Sequence, residues 1–277
     1  MSTEPIAEIV ATVGVETNAV DSKTSETELV WYLGYGSNMS SKVLSGRRQV
    51  YPTKSLPVVV PGYQLTFDMV GIPYFEPGFG TIMPVADSDE RNKAVSEKDK
   101  LVQERMCDCQ AGSPLHCIAH LITKKELQHI INTEGGNGNP DFGYQLIEVT
   151  CETYGGEIIT GVTLIDTHIV TRGYHPSPRY LKIIMDGAEE HKLNSEYIQR
   201  LKLIQPYVAS TIGQKIAKGI LAVTVFPFVI PVIISGLSAL IFKTKPSRAI
   251  SLYSESIKRV VWTMHNWILK PVFGKGF

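Results

Sequence analysis

"WYLGYGSNMS", residues 31–40, is the stretch on which the reading turns. An apolar run from Leu29 to Gly34 reads as a strand. It ends at Tyr35 and breaks into Gly36-Ser37-Asn38. Small residues at a strand tip let backbone N–H groups point outward, which makes a cradle for an anion. Ser37 and Asn38 add side-chain donors. A phosphate loop needs longer glycine spacing and a following Lys-Ser/Thr, absent here, so a carboxylate suits the turn better. Read without context, the same residues also describe a plain tight turn.

Around that strand the chain alternates in the way half-buried strands do. "PGYQLTFD" (61–68), "GTIMPV" (80–85), "HCIAHLI" (116–122), "YQLIEVTCE" (144–152) and "EIITGVTLI" (157–165) read as strands. Tyr154-Gly155-Gly156 is a hairpin signal between the last two. Ser40 or Ser41 caps a brief helix through Leu44. Thr123 and Glu126 form a capping box, predicting a helix to about Asn132 with Leu127, Ile130 and Ile131 inward. Ser177-Pro178 opens a helix over 177–191, and another spans about 195–204. Strands come first and helices last, without regular βαβ alternation. The fold class is therefore α+β around a mixed or closed sheet.

The 277 residues suit one moderate domain with appendages. Lys+Arg and Asp+Glu are equal at 27 each, and no basic stripe occurs, so nucleic acid is not expected as a partner. Cys107, Cys109, Cys117 and Cys151 read as free thiols. Cys107-x-Cys109 with His116 and Cys117 is too compressed for paired zinc knuckles, and no metal is expected. Residues 1–28 are acidic and Thr/Ser-rich, with only Lys23 facing six carboxylates; they read as disordered, without a secretory signal. Residues 86–114 read as a variable surface loop.

From about residue 209 the character changes. Gly219–Phe242 carries no charge and is long enough to span a bilayer. Pro227 and Pro231 lie in its middle, with basic residues on both sides, which favours a kinked re-entrant hairpin over a single pass. Residues 249–269 place Trp262, Trp267 and Ile/Val residues at helical intervals with Lys258 and Arg259 opposite, as a surface-lying amphipathic helix would. The bland alternative is a pair of helices packing on the domain or forming a dimer contact. The division expected is 1–28, a domain over 29–208 and an apolar extension over 209–277.

Three segments together resemble the γ-glutamylcyclotransferase family. Tyr32-Leu33-Gly34-Tyr35-Gly36-Ser37-Asn38 resembles its Tyr-Gly-Ser-Asn signature. Glu134-Gly135 closes a helix before a strand that begins at Tyr144. Residues 176–206, with Ser-Pro-x-Tyr at the start, resemble its terminal helical segment. The resemblance covers about 29–206 and implies a small mixed β-barrel with flanking helices. It also implies a reaction without cofactor or metal, in which a γ-glutamyl amine attacks its own γ-carbonyl and releases 5-oxoproline.

By that resemblance Glu134 is the proton shuttle, with burial under the helix end expected to raise its pKa. From spacing alone Glu134 reads equally as a solvated helix terminus. Residues Tyr32, Leu33, Gly34, Tyr35, Gly36 and Ser37 are implied to hold the glutamyl head, with Asn38 fixing the loop. Tyr180 is implied to contact the substrate carboxylate or wall the pocket; its other reading is a core tyrosine. Tyr144 is implied to bond Glu134 or line the pocket. Asp68 is the second choice of base, while Glu126 is committed to its cap and Glu148 and Glu152 face water.

Two departures stand out: Met39 in place of Leu, and a Gly-rich stretch between Glu134 and Tyr144 longer than usual. The long loops and tail resemble a fungal branch found with epipolythiodioxopiperazine toxin pathways such as gliotoxin's. That resemblance implies a glutathione adduct as substrate. The free thiols suit a reducing, cytoplasmic compartment, and the tail reads as an attachment to the cytoplasmic face of a membrane. Two rival readings remain: a carboxylate-binding module without chemistry, and a membrane-anchored interaction protein.

Overall fold

The computed structural model describes residues 28–85, 113–134, 144–166, 173–242 and 248–277. Seven strands are described. β1 is Leu29–Gly34, β2 Lys54–Val60, β3 Tyr63–Ile72, β4 Glu76–Pro84, β5 Leu115–Thr123, β6 Tyr144–Thr153 and β7 Ile158–Asp166. Five of them close a barrel in the order β1-β5-β2-β6-β7. All its pairings are antiparallel except the closure, where β1 runs parallel to β7 with Tyr32 opposite Val162. Closure leaves no bare edge in the barrel. β3 and β4 form a separate two-stranded ribbon, with a register shift between Thr66 and Met69.

β5 explains why the barrel is buried on both faces. Cys117, Ile118, Ala119 and His120 are all buried in succession, one set toward the barrel interior and the other under helices. α1 (Lys124–Thr133) follows β5 directly, with the capping box of Thr123 and Glu126 in place. Leu127 and Ile130 lie against Tyr32, Ile122 and Leu164. α2 (Pro178–Glu190) starts at the Ser177 cap with Pro178 in its first turn. Its Tyr180, Leu181, Ile184 and Ala188 meet Met39, Val58 and Ile118 in the main core. Each such Leu or Ile contributes about 1.5–3 kcal/mol by burial. α3 (Ser195–Leu203) completes the layer.

β2 is the strand that sequence reasoning passed over. Pro57 within it broke the pattern, yet Val58 and Val60 are buried and the strand bridges β5 and β6. The helix expected near Ser41–Leu44 runs over Lys42–Arg47 instead and has no side-chain cap.

The tail corrects one expectation. α4 (Ile212–Phe242) is one continuous helix through Pro227 and Pro231, with no re-entrant fold-back. The two prolines are four residues apart and both are exposed, so their lost hydrogen bonds fall on one solvent-facing side. α5 (Arg248–Met264) packs on α4, and a last turn ends at Phe273. Trp262 stacks on Tyr174 at 5.0 Å and donates to the Gly71 carbonyl at 2.9 Å. Tyr74 donates to the carbonyls of Gly274 and Gly276, at 2.7 and 2.8 Å. The tail is thus seated on the tip of the β3–β4 ribbon. Among the described residues, Ile212–Ser235 is the one helix long and apolar enough to cross a membrane, by length and composition only.

The expected disorder of 1–28 lies outside the described residues except for Glu28, which pairs with Lys124. The 86–114 loop, Cys107, Cys109 and the Gly-rich stretch after Glu134 also fall wholly or mainly outside them.

Candidate active site

β1 delivers Tyr35 to the barrel rim, and Ser37–Met39 form a single 3-10 turn. Met39 N donates to Gly36 O at 3.1 Å and Ser40 N to Ser37 O at 3.2 Å. Such a turn leaves its first amides without partners inside it. Gly36 must be bare for a packing reason, since a Cβ there would sit 3.0 Å from the Tyr180 hydroxyl.

Glu134 occupies the C-cap of α1, its own N–H donating to Ile130 O at 2.9 Å. A carboxylate there meets the negative end of the helix dipole and needs a counter-charge. Arg48 supplies it. Its Nη2 pairs with Glu134 Oε1, Nη1 donates to Thr133 Oγ1 at 2.5 Å, and Nε donates to Asn38 Oδ1 at 2.8 Å. Asn38 Nδ2 donates to Glu134 Oε1 at 3.0 Å and to the Tyr32 hydroxyl at 2.7 Å. Among the described residues both side-chain bonds to Glu134 land on Oε1. Asn38 does more than fix the loop: it ties the turn to the carboxylate.

The cavity they face has a volume of about 520 Å³. Tyr32, Tyr35, Gly36, Ser37, Asn38, Glu134, Tyr144 and Tyr180 all line it. Gly80 N donates to the Tyr180 hydroxyl at 3.1 Å, and Tyr144 donates to Gly80 O at 3.4 Å. Tyr144 therefore lines the pocket and takes Gly80, rather than Glu134, as its partner. Tyr35 donates to the Leu164 carbonyl. Burial pushes the phenols of Tyr32, Tyr35, Tyr144 and Tyr180 up, and the nearby Glu134 charge adds to the shift. All four remain protonated at neutral pH, so none serves as a base; Tyr35 and Tyr144 donate, while the Tyr32 and Tyr180 hydroxyls accept from Asn38 and Gly80.

Two of the expected residues stand back from the cavity. Leu33 is buried in the barrel core, and its carbonyl accepts from Thr163 Oγ1 at 2.8 Å. Gly34 pairs with Ile118, where a Cβ would press on the Asn38 carbonyl at 3.2 Å. The rival acids are committed elsewhere. Glu126 caps α1, Glu148 and Glu152 are exposed, and Asp68 accepts from Gly173 N at 2.9 Å. No group of metal-ligating side chains occurs among the described residues. Cys117 and Cys151 are buried free thiols.

Arg48 is the site residue that sequence reasoning missed. It sits in a basic pair on a helical turn, and the only signal was a need: a carboxylate at a helix C-terminus wants a cation nearby.

Sequence relatives point the same way. The chain is 31% identical over 190 residues to the gamma-glutamyl cyclotransferase aclK of Aspergillus oryzae, covering 64% of this chain and 62% of that protein. It is 27% identical over 247 residues to the gamma-glutamyl cyclotransferase gliK of Claviceps purpurea, covering 86% and 99%. The gliK protein of Aspergillus fumigatus is 29% identical, with 64% of its length spanned. No family profile matches the chain. The chain is thus similar to fungal proteins named gamma-glutamyl cyclotransferase, and it spans under two thirds of the length of two of these three.

Among solved structures, a gamma-glutamyl cyclotransferase aligns with 69% of this chain and all of its own at TM-score 0.47 and 23% identity. A human protein, loc79017, aligns at TM-score 0.48 and 23% identity, over 65% and 90%. At that degree of likeness the fold rests on its own strand order.

Proposed function

We propose that the chain is a γ-glutamylcyclotransferase with Glu134 as its acid and base. One observation carries this reading: the Glu134 carboxylate, oriented by Asn38 and Arg48, borders the same cavity as the Gly36–Asn38 turn. In the reaction, the glutamyl α-amine loses a proton to the Glu134 carboxylate. Its nitrogen then attacks the γ-carbonyl carbon of the same residue. Donors of the turn and the neutral phenols stabilise the oxyanion of the tetrahedral intermediate. Glu134 passes the proton to the departing nitrogen, the old C–N bond breaks, and 5-oxoproline leaves with the free amine. Ring closure is intramolecular, so holding the head in a reactive geometry supplies much of the rate.

The substrate we propose is a γ-glutamyl peptide of the glutathione-conjugate kind, handled in the biosynthesis of a sulfur-containing dioxopiperazine. The fungal relatives support the branch. The exposed apolar side of α4, with Val223, Phe226 and Phe228 well in solvent, supports contact with a membrane surface.

The test is incubation with glutathione, γ-glutamyl-alanine and a glutathione S-conjugate, reading 5-oxoproline by mass. Release from at least one of them is expected. No release from any, with the ligands still bound, returns the chain to a binding module.

A further inference from the structure

Glu134 and the turn make only part of the cavity lining; the C-terminal helices supply another part. Val225, Val229 and Val232 of α4 recur at helical spacing and line it, as do Ser254, Ile257, Lys258 and Val261 of α5. The three valines are half-buried, while Val223, Phe226 and Phe228 on other faces of α4 are 78%, 60% and 58% exposed. The tail is docked, by the Trp262, Tyr74 and Tyr174 contacts described above, onto the ribbon that also supplies Gly80 to the site.

Volume supports a second occupant. A cavity of about 520 Å³ is of the size that takes whole drug-sized ligands, and a glutamyl head alone fills only part of it. With the head held by the turn and Glu134, the rest of the substrate has the remaining lining, the valines among it, to fill. The valines offer stiff, β-branched apolar surface, while Ser254 and Lys258 are the polar side chains that α5 adds to the lining. The three valines reward apolar surface on the ligand and offer a polar group placed against them no partner.

We infer that α4 and α5 form the leaving-group subsite, selecting γ-glutamyl amides whose amine part carries a bulky apolar substituent. This rests on the cyclotransferase reading and names the substrate class of that site. It gives the extension a part in specificity, separate from any membrane contact.

The experiment compares kcat/KM for S-benzyl-glutathione and S-methyl-glutathione in the full chain and three variants. Val229→Trp and Val232→Trp fill the apolar wall; Val223→Trp puts the same side chain on an exposed face of the same helix. The full chain and Val223→Trp should prefer the S-benzyl substrate by roughly tenfold or more. Val229→Trp or Val232→Trp should remove that preference while leaving S-methyl-glutathione within about threefold. Equal use of both substrates by the full chain, or a preference untouched by both filling variants, overturns the subsite. So does a loss that falls equally on both substrates in both filling variants.

Calorimetry with N-glutaryl analogues, which lack the attacking amine, separates the two claims. If nothing releases 5-oxoproline but the S-benzyl analogue binds tighter in a Val229-dependent way, the reaction is wrong and the subsite stands. Equal affinities for the two analogues overturn the subsite whatever the turnover.

Discussion

Replacing Arg48 with Met tests how the carboxylate is held. The side chains of Arg48 and Glu134 are 12% and 20% exposed, so their pair is largely, though not wholly, removed from water. Removing one partner of a fully buried pair costs about 3–5 kcal/mol, mostly from the charge left alone. The remaining exposure discounts that to about 2–3 kcal/mol. Lost bonds to Asn38 and Thr133 are included in that figure, and the aliphatic part of Met preserves some packing. The double-mutant cycle isolates the charge. In a Glu134→Gln background no carboxylate is stranded, so Arg48→Met should then cost only about 1 kcal/mol for the neutral bonds. A coupling of about 1–2 kcal/mol follows, measurable by urea unfolding monitored through tryptophan fluorescence. Arg48→Met alone should also lower kcat, because Glu134 loses one of two groups that orient it. An Arg48→Met cost below about 0.5 kcal/mol, or additivity with Glu134→Gln, would refute the reasoning. The pair would then behave as a solvated surface contact.

Gly36→Ala places a Cβ 3.0 Å from the Tyr180 hydroxyl, so either the turn or the tyrosine must yield by a few tenths of an ångström. Misplacement of this sort should lower kcat/KM by about 10–100-fold in steady-state assays, with stability nearly unchanged. Gly187→Ala sets a Cβ 2.7 Å from the Ser40 backbone nitrogen, where α2 crosses the end of the turn. Overpacking against backbone should cost about 1–3 kcal/mol in urea unfolding. His120 is buried, and burial, with His191 nearby, lowers its pKa to about 3. The unfolded imidazole binds its proton near pH 6.5, so the stability this neutral histidine contributes is full above that and lost as pH falls toward 3. From pH 7.5 to 5 the loss should be about 2 kcal/mol, and His120→Gln should abolish that share when the two unfolding curves are compared.

The local signals in the chain were strong where chemistry is local. Thr123 and Glu126 announced α1 by their reciprocal cap, and Ser177-Pro178 announced α2, because both ends are decided within four residues. The barrel's closure was not local. It depends on β2, whose Pro57 looks like a breaker until Leu56, Val58 and Val60 are seen pairing with β5. In the site, the Gly36-Ser37-Asn38 turn was legible from its bare residues, and Glu134 through family resemblance. Arg48 was not, since its role depends on β1, α1 and a helical turn meeting in space. The tail misled for a related reason. An apolar run with prolines looks the same whether one face meets lipid or the wall of a pocket. Only its packing on Tyr74, Gly71 and Tyr174 distinguishes the docked face from the exposed one.

The proton shuttle is tested most directly by Glu134→Gln, which keeps the shape of the side chain and an acceptor for Arg48 but removes the base. With γ-glutamyl-alanine or a glutathione S-conjugate, 5-oxoproline formation followed by mass should fall by about 10²–10⁴-fold. Binding of the same ligand, read by calorimetry, should stay within about threefold, since the turn and tyrosines still hold the head. Undiminished 5-oxoproline release by the Gln variant would contradict the account, whatever its affinity.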